Sequence, residues 1–208
     1  MTMFLLPPSE TKLDATGKTK LNLKSLSFPE QTKARTEALN ALIELSTNSP
    51  ARARTALGLS VKQDFERVRN TLLKNAPVGA AWKIYSGVLY EALNADALSA
   101  AALKKLTSHV YVQSALFGLI SLGDMIPAYR LSADSKLPKI GNVSNLWAKE
   151  CASIFESESG LIIDMRSGQY ANIAPIPKNI SAHIHLINSS LFLFIKFTYD
   201  SICLILNL

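Results

Sequence analysis

Nine polar residues fall into three short groups, each just after a segment that reads as a buried strand or a tight turn. Ser9, Glu10 and Lys12 follow the apolar run Met3 to Leu6 and the Pro7-Pro8 stop; Tyr129, Arg130 and Asp134 follow Pro127; Arg166, Ser167 and Tyr170 follow Leu161 to Met165. Open α/β sheets collect ligands just beyond their strand ends. Arg130 and Arg166 together would clamp a carboxylate or phosphate through paired N–H groups, so an anionic small molecule is one expected partner. In the competing reading Arg130 and Asp134 only pair with each other.

A second constellation is basic. Arg52, Arg54, Lys62, Arg67, Arg69, Lys74 and Lys83 stand against Asp64 and Glu66 alone, and they carry most of the +6 net charge. Pro50 opens a short helix, Gly58 can take the positive φ that ends it, and Ser60 with Gln63 spells a capping box that starts another. Residues 51–73 therefore read as helix, Leu57-Gly58-Leu59, helix. The second helix carries Val61, Phe65, Val68 and Leu72 along one face, with Lys62, Arg67 and Arg69 largely off it. A tight turn between two helices can aim backbone N–H groups at phosphate while flanking Arg52, Arg54, Lys62, Arg67 and Arg69 neutralise it, with no base readout. The plainer alternative is two amphipathic helices with solvated basic faces.

Several chemistries are excluded or poorly supported. Two cysteines, Cys151 and Cys203, cannot build a disulfide framework or a cysteine zinc site. His109 stands alone beside an apolar strand, and Gly17-Lys18-Thr19 lacks the preceding glycine of a phosphate loop. No metal site and no cofactor are expected. Cys151, Trp82 and Trp147 read as core residues. The start MTMFLLPPSETK has no basic n-region and too short an apolar run for a secretory signal, so a cytoplasmic location is expected.

The elements that must position these groups alternate. After Met3 to Leu6 comes a polar loop, Ser9 to Ser25. Ser27 with Glu30 then forms a capping box for a helix carrying Leu39, Leu42, Ile43 and Leu45. Trp82 to Leu93 is helical with an interruption at Gly87, Ala97 to Leu106 is helical, Val110 to Val112 is a strand, and Ser144 to Phe155 is helical. Gly118, Gly123 and Pro127 break any long element between them. Strands alternating with helices give a mixed α/β class, a single compact domain with a mixed sheet and flanking helices. Residues 180–208 contain no Gly, Glu or Arg and are crowded with Ile, Leu, Phe, Ser and Asn. Lys196 and Asp200 argue against a membrane span there, because each costs roughly 2.5–3.5 kcal/mol to insert. The segment reads as an atypical apolar tail, frameshifted or otherwise aberrant, and no membrane contact is expected.

Four blocks read together are more specific: LLPPSETKLD at 5–14, YSGVLYEAL at 85–93, QSALFGLISLGDMIPAYRLSADSKLP at 113–138 and LIIDMRSGQYANIAPIP at 161–177. Their order and wording resemble the peroxide stress protein YaaA family, in its PPSETK-type branch, over about residues 3–178. The resemblance implies a compact α/β fold with a positively charged cleft and a helix-hairpin-helix element associated with duplex DNA. It also implies a cytoplasmic role in the peroxide stress response, limiting damage from free intracellular iron. The expected domain is 1–179. The expected activity is sequence-independent duplex binding through the 51–73 unit, and the rivals are an enzyme acting on an anionic small molecule in the Arg130/Arg166 cleft or a truncated, non-functional product.

Overall fold

A computed structural model describes residues 2–176 and the short strand Ser181–Ala182. Strand β1 (Met3–Leu6) is buried at every position. An unbroken apolar run, rather than an alternating one, is what a strand covered on both faces needs. On one side β1 pairs in parallel with β2 (Val110–Ser114), Phe4 opposite Val110, and β2 pairs antiparallel with β3 (Gly118–Ser121). On the other side it pairs in parallel with β4 (Ile162–Asp164), which continues in parallel to β5 (Ser181–Ala182). The five-stranded order is thus β3-β2-β1-β4-β5. There are also two short antiparallel ribbons, Gly79–Ala80 with Met125–Ile126 and Lys136–Leu137 with Gly141–Asn142, and isolated bridges from Lys12 to Tyr85 and from Lys20 to Pro77.

Eight α-helices are seen among the described residues: α1 (Thr32–Asn48), α2 (Pro50–Ala56), α3 (Asp64–Thr71), α4 (Ala81–Ile84), α5 (Val88–Leu93), α6 (Ala100–His109), α7 (Val143–Ser157) and α8 (Gly168–Ile173). The break at Gly87, which has φ +97, separates α4 from α5 as its sequence position suggests. The Ser27/Glu30 capping box does not form. Asp124 is a buried carboxylate in need of donors, and it takes the Ser27 backbone N–H at 3.0 Å and the Ser27 hydroxyl at 3.1 Å. A 3₁₀ turn, Pro29–Gln31, therefore precedes α1.

Strand β3 goes unread in the sequence because Gly118 looks like a breaker; here it closes the hairpin opposite Ser114. Gly118 sits at φ +68, and a Cβ there would stand 2.6 Å from both the Trp147 ring and Gln31 Oε1. The Trp147 indole is fully buried and donates to the Ala115 carbonyl at 2.8 Å. Gly118→Ala is expected to destabilise by roughly 1–3 kcal/mol through overpacking and a disfavoured φ. A urea midpoint indistinguishable from wild type would contradict this packing.

The expected aberrant tail lies outside the described residues apart from Ser181–Ala182, whose backbone extends the sheet beside β4.

Candidate functional site

β1, β2 and β4 run parallel, so their carboxyl ends lie along one edge. The chain reaches β2 on one side of β1 and β4 on the other, and the order reverses at β1. Such a reversal leaves a crevice for ligands beyond the strand ends. Pro7 to Glu10 leave β1 there and Arg166-Ser167 leave β4. A cavity of about 270 Å³ opens at this edge between Ser9, Glu10, Arg130, Asp134, Gln169 and Tyr170, so members of all three sequence groups meet. Ser9 and Tyr170 also border a more apolar cleft of about 350 Å³ that takes in Ser167 and the start of α5.

Arg130 is the cation of the cavity. Its guanidinium pairs with Glu10, not with Asp134 as the competing sequence reading had it, and only 12% of its side chain is exposed. Its peptide is held on both sides by Asn70 of α3, whose amide nitrogen donates to the Arg130 carbonyl at 2.8 Å and whose oxygen accepts from the Arg130 N–H at 2.9 Å. Asn70 is fully buried, and a lone amide inside a short helix carries no local signal in the sequence of a partner 60 residues away.

Lys12, Tyr129 and Arg166 do not line the cavity. Lys12 is buried, with Nζ donating to the carbonyls of Ser9 at 2.9 Å and Glu10 at 3.3 Å and standing 4.3 Å from the centre of the Tyr129 ring. Burial, reinforced by the nearby Arg130 charge, brings its ammonium pKa down to about 7. The Tyr129 hydroxyl closes a buried chain with Ser114 Oγ at 2.8 Å and the Tyr85 hydroxyl at 3.0 Å, and burial pushes both phenols up. Arg166 turns inward and is spent on Asp164, with Nε to Oδ1 at 2.8 Å and Nη2 to Oδ2 at 2.7 Å. The expected Arg130/Arg166 clamp is therefore absent. A carboxylate two residues earlier, in a fully buried strand, claims the guanidinium before any ligand can.

The basic unit forms as its sequence suggests locally but not in its facing. Gly58 takes φ +62, and the Ser60/Gln63 box closes, Gln63 Oε1 accepting from the Ser60 N–H at 3.1 Å. The Gly58 and Leu59 N–H groups bond back to the carbonyls of Thr55 and Arg54, which caps α2 rather than aiming them outward. Arg54 and Arg67 both pair with Asp64, at 3.0 and 2.7 Å, and hold its carboxyl well below the usual range. Arg67 also donates to the Ser46 carbonyl of α1 at 2.7 Å, while Arg69 bridges Asp14 at 3.0 Å and Glu66. With its polar side so engaged, α3 leaves Phe65 and Val68 exposed, in line with Val61 in the 3₁₀ turn before it and Leu72 just after it. Arg52 and Lys62 stay exposed with no ion-pair partner among the described residues. A groove of about 700 Å³ runs from Arg52 and Gly58 to Arg130, Asp134 and Lys136.

Of the other sequence readings, Cys151 and Trp147 are fully buried, whereas Trp82 sits half-exposed at the core's margin under Lys83 Nζ. Among the described residues no group of three or more His, Cys, Asp or Glu is arranged to hold a metal ion, and no helix is long and apolar enough to cross a membrane.

Fold and crevice together define a mixed α/β protein with a ligand-sized opening at the carboxyl edge of its sheet, next to a basic hairpin. The family model for peroxide stress protein YaaA matches residues 2–190, and the chain belongs to that family. The match runs beyond residue 179, where the sequence reading ended the domain. A UPF0246 protein of Corynebacterium efficiens is 42% identical over 186 residues, covering 88% of this chain and 73% of that protein. Another, of Streptomyces coelicolor, is 39% identical over 171 residues, covering 81% of this chain and 66% of its own length.

Proposed function

We propose that this chain serves the peroxide stress response in the cytoplasm by binding duplex DNA through its phosphate backbone, without reading sequence, and so limits iron-linked damage. The observation that carries the reading is the groove of about 700 Å³ in which the hairpin's Arg52 and Gly58 face Arg130 and Lys136. Arg52 and Lys136 on the groove and Lys62 exposed on the adjoining turn, none with an ion-pair partner among the described residues, supply the sequence-blind attraction that a polyanion needs, against Asp134 as the groove's carboxylate. Arg54, Arg67 and Arg69 act differently from the sequence expectation: paired with Asp64, Glu66 and Asp14, they brace the unit. The rival reading, an anionic small molecule in the crevice, rests on Arg130 alone now that Arg166 is committed to Asp164.

Arg52→Glu combined with Lys62→Glu is expected to weaken a fluorescein-labelled duplex at low salt by about tenfold or more, since two contacts become repulsive. Both residues are exposed, so the fold should lose no more than about 0.5 kcal/mol. Unchanged affinity in the folded double variant would refute the groove as the DNA contact.

A further inference from the structure

The two openings around Arg130 adjoin. The groove of about 700 Å³ and the cavity of about 270 Å³ share Arg130, Ser132 and Asp134 as a common wall. Beyond that wall the cavity differs in character from the groove. To the shared Asp134 it adds a second carboxylate, Glu10, a side-chain amide at Gln169 and the aromatic residue Tyr170. Neutralising phosphate alone gives no role to Glu10, Gln169 and Tyr170, which line the cavity and not the groove.

That combination suits a nucleobase. Carboxylate and amide oxygens accept from exocyclic amino groups, an amide N–H₂ and a guanidinium donate to ring nitrogens and carbonyls, and a tyrosine ring offers a stacking face that tolerates any base. We propose that the cavity receives a single nucleotide swung out of a duplex whose backbone lies in the adjoining groove. The inference rests on the duplex-binding reading and extends it by assigning the crevice its occupant.

The placement of the parts agrees with this. Asn70 ties the Arg130 peptide to α3, so the hairpin unit and the cavity wall are held in one fixed relation rather than through a loose loop. A nucleotide leaving the stack turns about its own phosphates, and Arg130 borders both the place where the phosphate would lie and the place where the base would go. Glu10, paired with Arg130, keeps the guanidinium from being a free anion trap inside the cavity. The cost of unstacking is lowest for a mispaired base, so duplexes with a mismatch are the preferred form of the ligand.

The test uses the full chain and duplexes carrying 2-aminopurine beside a mispaired base, where loss of the neighbour's stacking raises the emission. Saturating protein is expected to raise that emission several-fold over free duplex. Tyr170→Leu should reduce the extrahelical population by roughly tenfold, the loss of one base–aromatic stack, while anisotropy still reports duplex binding. Gln169→Ala, at an exposed position, should reduce it less and serves as the variant that leaves packing untouched. Bound duplex with unchanged emission overturns the inference alone. Absence of binding in the anisotropy measurement overturns the groove reading and the inference with it.

Discussion

Arg166→Leu is expected to destabilise the fold by about 3–5 kcal/mol, the range for breaking a buried ion pair by removing one partner. The Arg166 side chain is fully buried and that of Asp164 is 4% exposed. Beyond its two bonds to Asp164, the guanidinium donates to the Ala174 carbonyl at 3.0 Å and to Gln113 Oε1 at 3.3 Å. Leucine would fill part of the volume but leave the buried Asp164 carboxylate without its cation at the end of β4, still taking the backbone N–H of residue 166 at Oδ1, 3.1 Å away. The same substitution made together with Asp164→Val should recover a large share of the loss, because replacing both partners removes the uncompensated charge. Urea unfolding of the two single variants and the double variant reads the coupling. A single-variant loss below about 1 kcal/mol would mean that water reaches the pair. The variant's folded fraction should bind duplex as wild type does, since Arg166 faces the core rather than the groove.

Lys12→Met should change stability in a pH-dependent way. The folded amine titrates near 7, against 10.5 for an ordinary lysine, with burial as the main cause and Arg130 as the second. Below pH 7 the amine is protonated folded and unfolded, and the wild type bears the full desolvation cost of the buried charge. Between pH 7 and 10.5 the unfolded chain holds a proton that the folded chain lacks, so wild-type stability rises with pH. Methionine has no such dependence. The advantage of Lys12→Met over wild type should therefore be greatest at pH 6 and shrink by on the order of 4 kcal/mol by pH 10. Hydrogen bonds from Nζ to Ser9 and Glu10 set the constant offset between the two curves, not their slope. Parallel curves for the two proteins would show that Lys12 keeps an ordinary pKa and that its cage is wet.

What could be read from the sequence divides along the range of the interactions. Met3–Leu6 is legible because four apolar residues followed by two prolines leave few other conformations, and the helix boundary at Gly58 and the Ser60/Gln63 box are local chemistry. That Ser9, Glu10 and Tyr170 would meet follows from parallel strands delivering their loops to one edge, whereas Arg130 and Asp134 come from the loop after the antiparallel Met125–Ile126 ribbon, and Tyr129 and Arg166 stay out of the cavity. The fate of Arg166 was written two residues earlier: an aspartate inside the apolar run Leu161 to Met165 must find a cation, and the strand buries that cation with it. The facing of α3 was not legible. Periodicity marks Phe65, Val68 and Leu72 as one stripe, but Asn70 and Arg67 reach across to Arg130 and Ser46 and turn the polar side inward. Nothing within eight residues of α3 specifies those two contacts.

The central claim, that the groove beside the hairpin holds a phosphate backbone without reading bases, is tested most directly by titrating duplex affinity against salt. Each phosphate neutralised releases condensed counterion, so log Kobs should fall linearly with log salt, at a slope of about −0.9 per contact. Arg52, Lys62 and Lys136 as contacts give a slope of roughly −3, the same for duplexes of unrelated sequence, and shallower by about two units in the Arg52→Glu/Lys62→Glu variant. An affinity independent of salt, or one that changes strongly with sequence at fixed salt, would contradict the account.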